Sequence, residues 1–252
     1  MDSDTDAETK KEIPDNLTTS VRKLKDGKTT TIYVAEYNLL EYELRVESFE
    51  EQVPLVNWCI ENDETEAIIG AFFINKFREE YGYDMIGVSL GEIRKDGSPV
   101  YSAPFDEPWG SIRSCVHIED SQVSIRRRDE IERNPEGDLL QAGPLLVQNG
   151  QLVDKKPEGF SEGSRQFDSD ITVGRHARAA IGIKGNTLYT FACDARTDLD
   201  AGLELEEVAE IMLELGCDQA MNLDGGGSTS LVCEGELRNI PRQIRAADIS
   251  RG

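Results

Sequence analysis

Histidine is almost missing from this chain, with only His117 and His176 among 252 residues. Two imidazoles so far apart exclude a histidine-rich metal centre of the hydrolase type. Cysteine is also sparse. The five cysteines at 59, 115, 193, 217 and 233 are odd in number, widely spaced and free of any C-x-x-C. They read as buried free thiols in a reducing compartment. No apolar run approaches the ~20 residues of a membrane span. Positive charge is in deficit: 27 Lys and Arg face 49 Asp and Glu, for a net charge of −22. That balance disfavours nucleic acid and anionic membrane partners, which are gripped through a basic footprint. It leaves room for a small anionic ligand held by a few local arginines. The opening residues MDSDTDAE are acidic and lack the apolar stretch of a signal peptide. Residues 1–16 are therefore expected to form a solvated, disordered arm, and the cytoplasm is the expected location.

What is present suits a single soluble domain over residues 17–252, with 38% hydrophobic and 30% charged residues. The segments TTIYVAEY and YELRVES read as two strands joined near Leu39–Glu41. Residues 54–61 read as a short helix opened by Pro54, and Ala67–Phe73 as an apolar run of strand length. The stretch from there to Trp109 reads as irregular and rich in loops. Residues 139–147 and 151–153 read as a strand pair around the Asn149-Gly150 turn. Residues 179–183 and 187–193 form a clearer hairpin across Lys184-Gly185-Asn186. The best helix covers 203–215, where Leu205, Val208, Met212 and Leu215 share a face and Gly216 sits at the C-cap. A hairpin, a crossover helix and a returning strand predict an α/β (α+β) fold. Its mixed sheet is flanked by helices, and the site lies at the carboxyl ends of strands.

The returning strand carries the most telling sequence in the chain, Ala220-Met221-Asn222-Leu223-Asp224-Gly225-Gly226-Gly227-Ser228-Thr229-Ser230. Strand alternation puts Asn222 and Asp224 on one face. The glycines permit backbone conformations closed to other residues and let a ligand approach bare N–H groups, with Ser228 and Thr229 adding hydroxyls. Loops of this kind at strand ends are common anion and sugar sites.

Other motifs converge on this one. Arg175-His176-Ala177-Arg178 leads into the hairpin and Asp194-Ala195-Arg196 leaves it, so hairpin geometry makes Arg178 a neighbour of Asp194 and Arg196. Guanidinium forks grip phosphate bidentately, while carboxylates bind sugar hydroxyls or move protons. The same residues could instead form a structural ion network. Phe167-Asp168-Ser169-Asp170 reads as a substrate loop, a cation site or a solvated acidic loop. Gln141-Ala142-Gly143-Pro144 reads as a shaped turn. His176 reads as a proton carrier or an ordinary surface histidine.

Taken together these residues resemble the phosphodiester glycosidase family. The resemblance rests on Asn222 through Thr229, Asp194-Ala195-Arg196, Arg178, Gly143-Pro144-Leu145-Leu146 with Asn149-Gly150, and Gly70-Ala71-Phe72-Phe73. It covers residues 65–241 and is nearest to small bacterial members. Three departures stand out. The family usually has Asn-Gly-Gly-Phe-Phe where this chain has Ile69-Gly70-Ala71-Phe72-Phe73. It has Asp-Gly-Arg in place of Asp194-Ala195-Arg196, and it closes with an apolar strand where residues 242–252 are polar.

The resemblance implies hydrolysis of a sugar-1-phosphodiester at its glycosidic bond, with no cofactor and no metal. For that reaction the charge on the departing phosphate calls for arginines, which points to Arg178 and Arg196, and the carboxylate that activates water or attacks is expected to be Asp224, with Asp194 as the second candidate. Substrate contacts fall to Asn222, Gly225, Gly226, Gly227, Ser228, Thr229, Arg175, Gly70, Phe72 and Gly143. Two other functions use the same residues. One is a non-catalytic binder of anionic carbohydrate. The other is a metal-dependent phosphodiesterase with Asp168, Asp170 and Asp224 as ligands.

Overall fold

A computed structural model describes residues 14–49, 52–74, 85–153 and 174–240. Its centre is the hairpin of β13 (Arg178–Lys184) and β14 (Thr187–Cys193), in register from Arg178 opposite Cys193 to Lys184 opposite Thr187. Both strands are buried almost end to end, which explains their unbroken apolar character. The main sheet runs β1 (Leu17–Lys23), β2 (Thr29–Asn38), β14, β13, β15 (Gln219–Asn222), β11 (Leu145–Gln148), β12 (Gln151–Leu152). A second sheet runs β7 (Ser98–Val100), β6 (Ile93–Lys95), β10 (Asp138–Gln141), β8 (Ser114–Glu119), β9 (Gln122–Arg127). Smaller ladders join β17 (Glu236–Leu237), β16 (Leu231–Cys233) and β3 (Ala67–Ile68), and pair β4 (Phe72–Phe73) with β5 (Ser89–Leu90). Three helices complete the described residues: α1 (Leu55–Glu61), α2 (Trp109–Ile112) and α3 (Leu205–Glu214).

Strand alternation divides the core into two layers. Ala179, Ile181 and Ile183 join Val116, Ile118 and Ile125 of the second sheet. Ala180 faces the other way, into a cluster with Val208, Met212 and Ala220 that seats α3. Gly182 lets the helix come close: a Cβ there would lie 2.5 Å from Met212 Cε and 2.7 Å from Cys217 Sγ. The chain after α3 turns at Gly216, whose φ of +83° is a left-handed conformation suited to glycine. The five cysteines are buried free thiols, and burial pushes Cys193, Cys217 and Cys233 up to about 12. Among the described residues no helix is long and apolar enough to cross a membrane.

The α+β single-domain class stands, with several corrections of detail. Among the described residues the ladders of the main sheet are antiparallel, where a mixed sheet was expected. Strands β14 and β15 run parallel only across the intervening β13. The partner of β2 is β1, not the YELRVES segment, which forms no strand. The apolar run at 67–73 breaks into β3 and β4, which belong to different ladders. The run at 139–147 breaks at Ala142-Gly143-Pro144 and feeds both large sheets. Of the expected N-terminal arm, residues 1–13 lie outside the described residues, and Pro14–Asn16 lead directly into β1.

Candidate active site

Strand β15 ends at Asn222, and the chain passes through Asp224 into a short 3-10 turn at Gly226–Ser228. The Asp224 N–H donates to Gly70 O at 2.9 Å, tying the glycine loop to the linker between β3 and β4. The Asp224 carboxylate is 9% exposed and accepts the Gly225 N–H at 2.8 Å and the Ser228 hydroxyl. Burial pushes this carboxyl up to about 7, and the two hydrogen bonds oppose the rise only in part. A carboxyl poised there can hold or release a proton near neutral pH.

The glycines serve the loop's own shape more than the expected substrate contacts. Gly226 N–H donates to Ala177 O at 2.8 Å, Ser228 N–H to Gly225 O at 3.2 Å and Thr229 N–H to Gly226 O at 3.4 Å. With the Gly225 N–H on Asp224, Gly227 is left as the loop amide without a hydrogen bond among the described residues. Gly225 is needed for close approach, since a Cβ there would meet Ala177 O at 2.8 Å. Gly226 adopts a φ of +61°. Gly143 N–H donates to Asn222 O, and a Cβ on Gly143 would sit 2.5 Å from that same oxygen. Two polar atoms remain unsatisfied beside the loop: Asn222 Oδ1 and Thr229 Oγ1 are buried without a hydrogen-bond partner among the described residues. Buried groups of this kind cost ~1–3 kcal/mol each when left unpaired, so they mark where a ligand or ordered water completes the count.

Around this loop the structure gathers Arg178, Asp194 and Arg196. The loop packs on the start of β13, with the Arg178 Cα 3.8 Å from the Cβ that Gly225 would carry. The Arg178 side chain is buried, with Nε donating to Leu203 O and Nη2 to Gly174 O, both at 3.1 Å. Asp194 is held on both oxygens, by the Tyr33 hydroxyl at 2.8 Å and the Ile240 N–H at 2.7 Å. Each Asp194 oxygen thus carries one hydrogen bond that ties the site to β2 and to the chain at Ile240. Arg196 is exposed, adopts a left-handed φ of +63°, and has Nη2 3.9 Å from the Cβ position of Gly226.

The Arg196 loop is fixed by residues that the sequence did not single out. Thr29, Thr30 and Thr31 of β2 all bind it: Thr29 Oγ1 donates to Leu199 O at 2.6 Å, Thr30 Oγ1 accepts from Gly202 N at 2.6 Å, and Thr31 Oγ1 donates to Asp200 Oδ1 at 2.7 Å. The Thr31 N–H also donates to Asp200 Oδ1 at 2.7 Å, and Thr197 Oγ1 donates to Asp200 Oδ2 at 2.9 Å. The run of three threonines is visible in the sequence, but nothing local ties it to a loop whose bonded residues lie 169–172 positions away.

Two expected substrate residues are placed elsewhere. Arg175 is clamped by Glu207 at 2.8 and 3.1 Å and by Asp26 at 2.6 Å, so its guanidinium ties α3 to the β1–β2 turn. Phe72 is buried, edge-on to Phe105 and 5.3 Å from the Arg113 guanidinium. Burial pushes Arg113 down to about 9, and its Nη1 donates to Ala142 O at 2.8 Å next to Gly143. Gly70 stays at the site, with its carbonyl on Asp224. His176 pairs through its backbone with Leu203. Asp168 and Asp170 lie outside the described residues. Among the described residues no three His, Cys, Asp or Glu side chains are grouped to hold a metal ion.

The model of the family described as phosphodiester glycosidase matches residues 63–251, three quarters of the chain. The chain belongs to this family. Among curated relatives it is 32% identical over 147 residues to human N-acetylglucosamine-1-phosphodiester alpha-N-acetylglucosaminidase, covering 52% of this chain and 28% of that protein. It is 31% identical over 172 residues to the mouse enzyme of the same name, covering 62% of this chain and 31% of the relative. The chain thus spans less than a third of the length of these relatives. Among solved structures it is similar to the zebrafish catalytic domain of that name, auto-inhibited by its pro-peptide. The TM-score is 0.63 at 22% identity, over 90% of this chain and 75% of the other. The phosphodiester glycosidase fold is therefore shared, and members of the family are glycosidases acting on phosphodiester-linked sugars.

Proposed function

We propose that this phosphodiester glycosidase-family chain hydrolyses the C1–O bond of a sugar-1-phosphodiester, releasing free sugar and a phosphomonoester. The names of its relatives favour α-linked N-acetylglucosamine as the sugar. The observation that carries the reading is Asp224, a buried carboxyl poised near neutrality beside a glycine loop and two arginines. A phosphomonoester has a second pKa of ~6 and leaves far more readily than an alkoxide. The demand on the protein is then to stabilise negative charge on the departing phosphate, for which Arg178 and Arg196 are suited. Ionised Asp224 takes a proton from the attacking water or attacks the anomeric carbon itself. Ser228 and the Gly227 amide line the place where substrate oxygens would lie, with the buried Asn222 and Thr229 side chains packed within the loop that presents them. Asp194 acts as a positioning carboxylate, joining Tyr33 to the chain at Ile240.

The test is a screen of α- and β-linked sugar-1-phosphodiesters with purified protein in ¹⁸O-labelled water. Turnover with the label in the released sugar is expected. Label in the phosphate would mean P–O cleavage, and binding without turnover of any diester would mean a carbohydrate-binding protein.

A further inference from the structure

A groove of about 800 Å³ starts at Gly227 and Ser228 and runs away from the glycine loop. That volume is ample for a drug-sized ligand and exceeds the need of a single sugar phosphate. Its walls are largely apolar and include Leu44, Val53, Trp58, Ile69 and Phe73. Ile69 is held beside the loop by its N–H, which donates to Ser230 O at 3.0 Å. Trp58 stacks on Phe49 with ring centroids 5.1 Å apart, forming an aromatic wall.

Apart from the exposed Glu43, the charged groups along this groove are already paired. Glu47 binds Arg45 at 2.9 Å and Lys95 at 2.7 Å, Glu64 binds Arg45, and Glu66 accepts the Tyr37 hydroxyl at 2.5 Å. A second sugar asks for carboxylates and amides open to its hydroxyls, and a second anion asks for an uncommitted cation. These groups supply neither. An apolar chain asks only for removal from water.

We propose that this groove is the aglycone subsite and that it takes an apolar chain carried on the far oxygen of the substrate phosphate. The proposal rests on the phosphodiester reading, because the groove reaches Gly227 and Ser228, and Ser228 in turn contacts Asp224, which puts the phosphate of that reading at the groove's mouth. It makes Ile69 and Trp58 specificity-determining residues.

The test compares methyl, octyl and hexosyl diesters of one sugar-1-phosphate and, separately, the binding of octyl phosphate and methyl phosphate by calorimetry below the micelle concentration. The expected result is that kcat/KM for the octyl diester exceeds that for the methyl diester at least ~10-fold, chiefly through KM. Octyl phosphate should bind at least ~10-fold tighter than methyl phosphate. Trp58→Ala and Ile69→Asn should each bring the octyl-to-methyl ratio toward one, an effect that a general loss of stability does not produce. Equal kcat/KM for all three diesters, or preference for the hexosyl diester, overturns the apolar subsite and leaves the proposed hydrolysis standing. Tight octyl phosphate binding with no turnover of any diester sinks the hydrolysis and leaves the subsite standing.

Discussion

Replacing Asp224 with Asn should make this protein more stable, and increasingly so as pH rises. The Asp224 carboxyl is pushed up to about 7 in the fold from its ordinary value of 3.8, so the folded state holds its proton more tightly than the unfolded chain does. Below pH ~4 both states are protonated and the group is neutral to stability. As pH rises from ~4 to ~7 the unfolded chain ionises freely while the folded one resists, and stability drains by ~1.4 kcal/mol per unit. Above ~7 the full cost of a buried charge is present, on the order of 4 kcal/mol. Asn keeps the shape and the acceptor for the Gly225 N–H but carries no charge. The stability advantage of Asp224→Asn over wild type should therefore grow by roughly 2–3 kcal/mol between pH 5 and pH 8. Urea unfolding of both proteins at the two pH values measures it, and taking their difference cancels every other titrating group. A difference that is the same at both pH values would refute the idea that burial has raised this carboxyl. The same property sets activity. For a base that must be ionised, kcat/KM should climb with pH through an apparent pKa near 7, and Asp224→Asn should lower kcat at least ~100-fold.

Three further substitutions probe the surroundings. Arg178→Lys keeps the charge but loses the fork and cannot serve both Leu203 O and Gly174 O. It should cost at least ~1.4 kcal/mol of transition-state binding, or tenfold in kcat/KM, and full activity would make this arginine structural. Thr31→Val removes one hydroxyl from Asp200 and should cost ~1–2 kcal/mol in thermal unfolding. It should also reduce kcat at temperatures where the variant is fully folded, and an unchanged kcat would separate the threonines from Arg196 placement. Gly143→Ala puts a Cβ 2.5 Å from the Asn222 backbone oxygen, which has no flexible tip to move aside. Loss of activity beyond any loss of folded protein is expected, and a crystal structure with β11 and β15 undisturbed would contradict it.

How far the sequence revealed the molecule depends on how local each signal was. The β13–β14 hairpin was legible because both strands and the turn at Gly185-Asn186 lie within sixteen residues, Arg178–Cys193. Asn222-Leu223-Asp224 with its three glycines was legible for the same reason. Strand β1 escaped notice because it is polar and mostly exposed, and pairing with β2 rather than an apolar face holds it. With β1 unseen, β2 was given the wrong partner in residues 42–48. The break at Gly143 follows from contact with Asn222, which is distant in sequence. Arg175 shows the limit for charges. Its partners Glu207 and Asp26 are 32 and 149 residues away, and nothing local distinguishes a guanidinium clamped by carboxylates from one awaiting a phosphate. Tyr33 and the three threonines are of the same kind, since each matters only once β2 is laid beside β14.

The five buried thiols make this protein its own stability map. Cys59 sits in α1, Cys115 in β8, Cys193 in β14, Cys217 after α3 and Cys233 in β16. Thiolate is the reactive form, so a sulfhydryl pushed up to about 12 and walled off by packing waits for an opening before it meets a reagent. With a fast thiol probe and peptide mapping, each site would report the free energy of exposing its own neighbourhood. Cys193 adjoins Asp194, and its sulfur accepts the Arg178 N–H at 3.3 Å. Its labelling rate with and without a sugar phosphate would register occupancy of the neighbouring site with no turnover required.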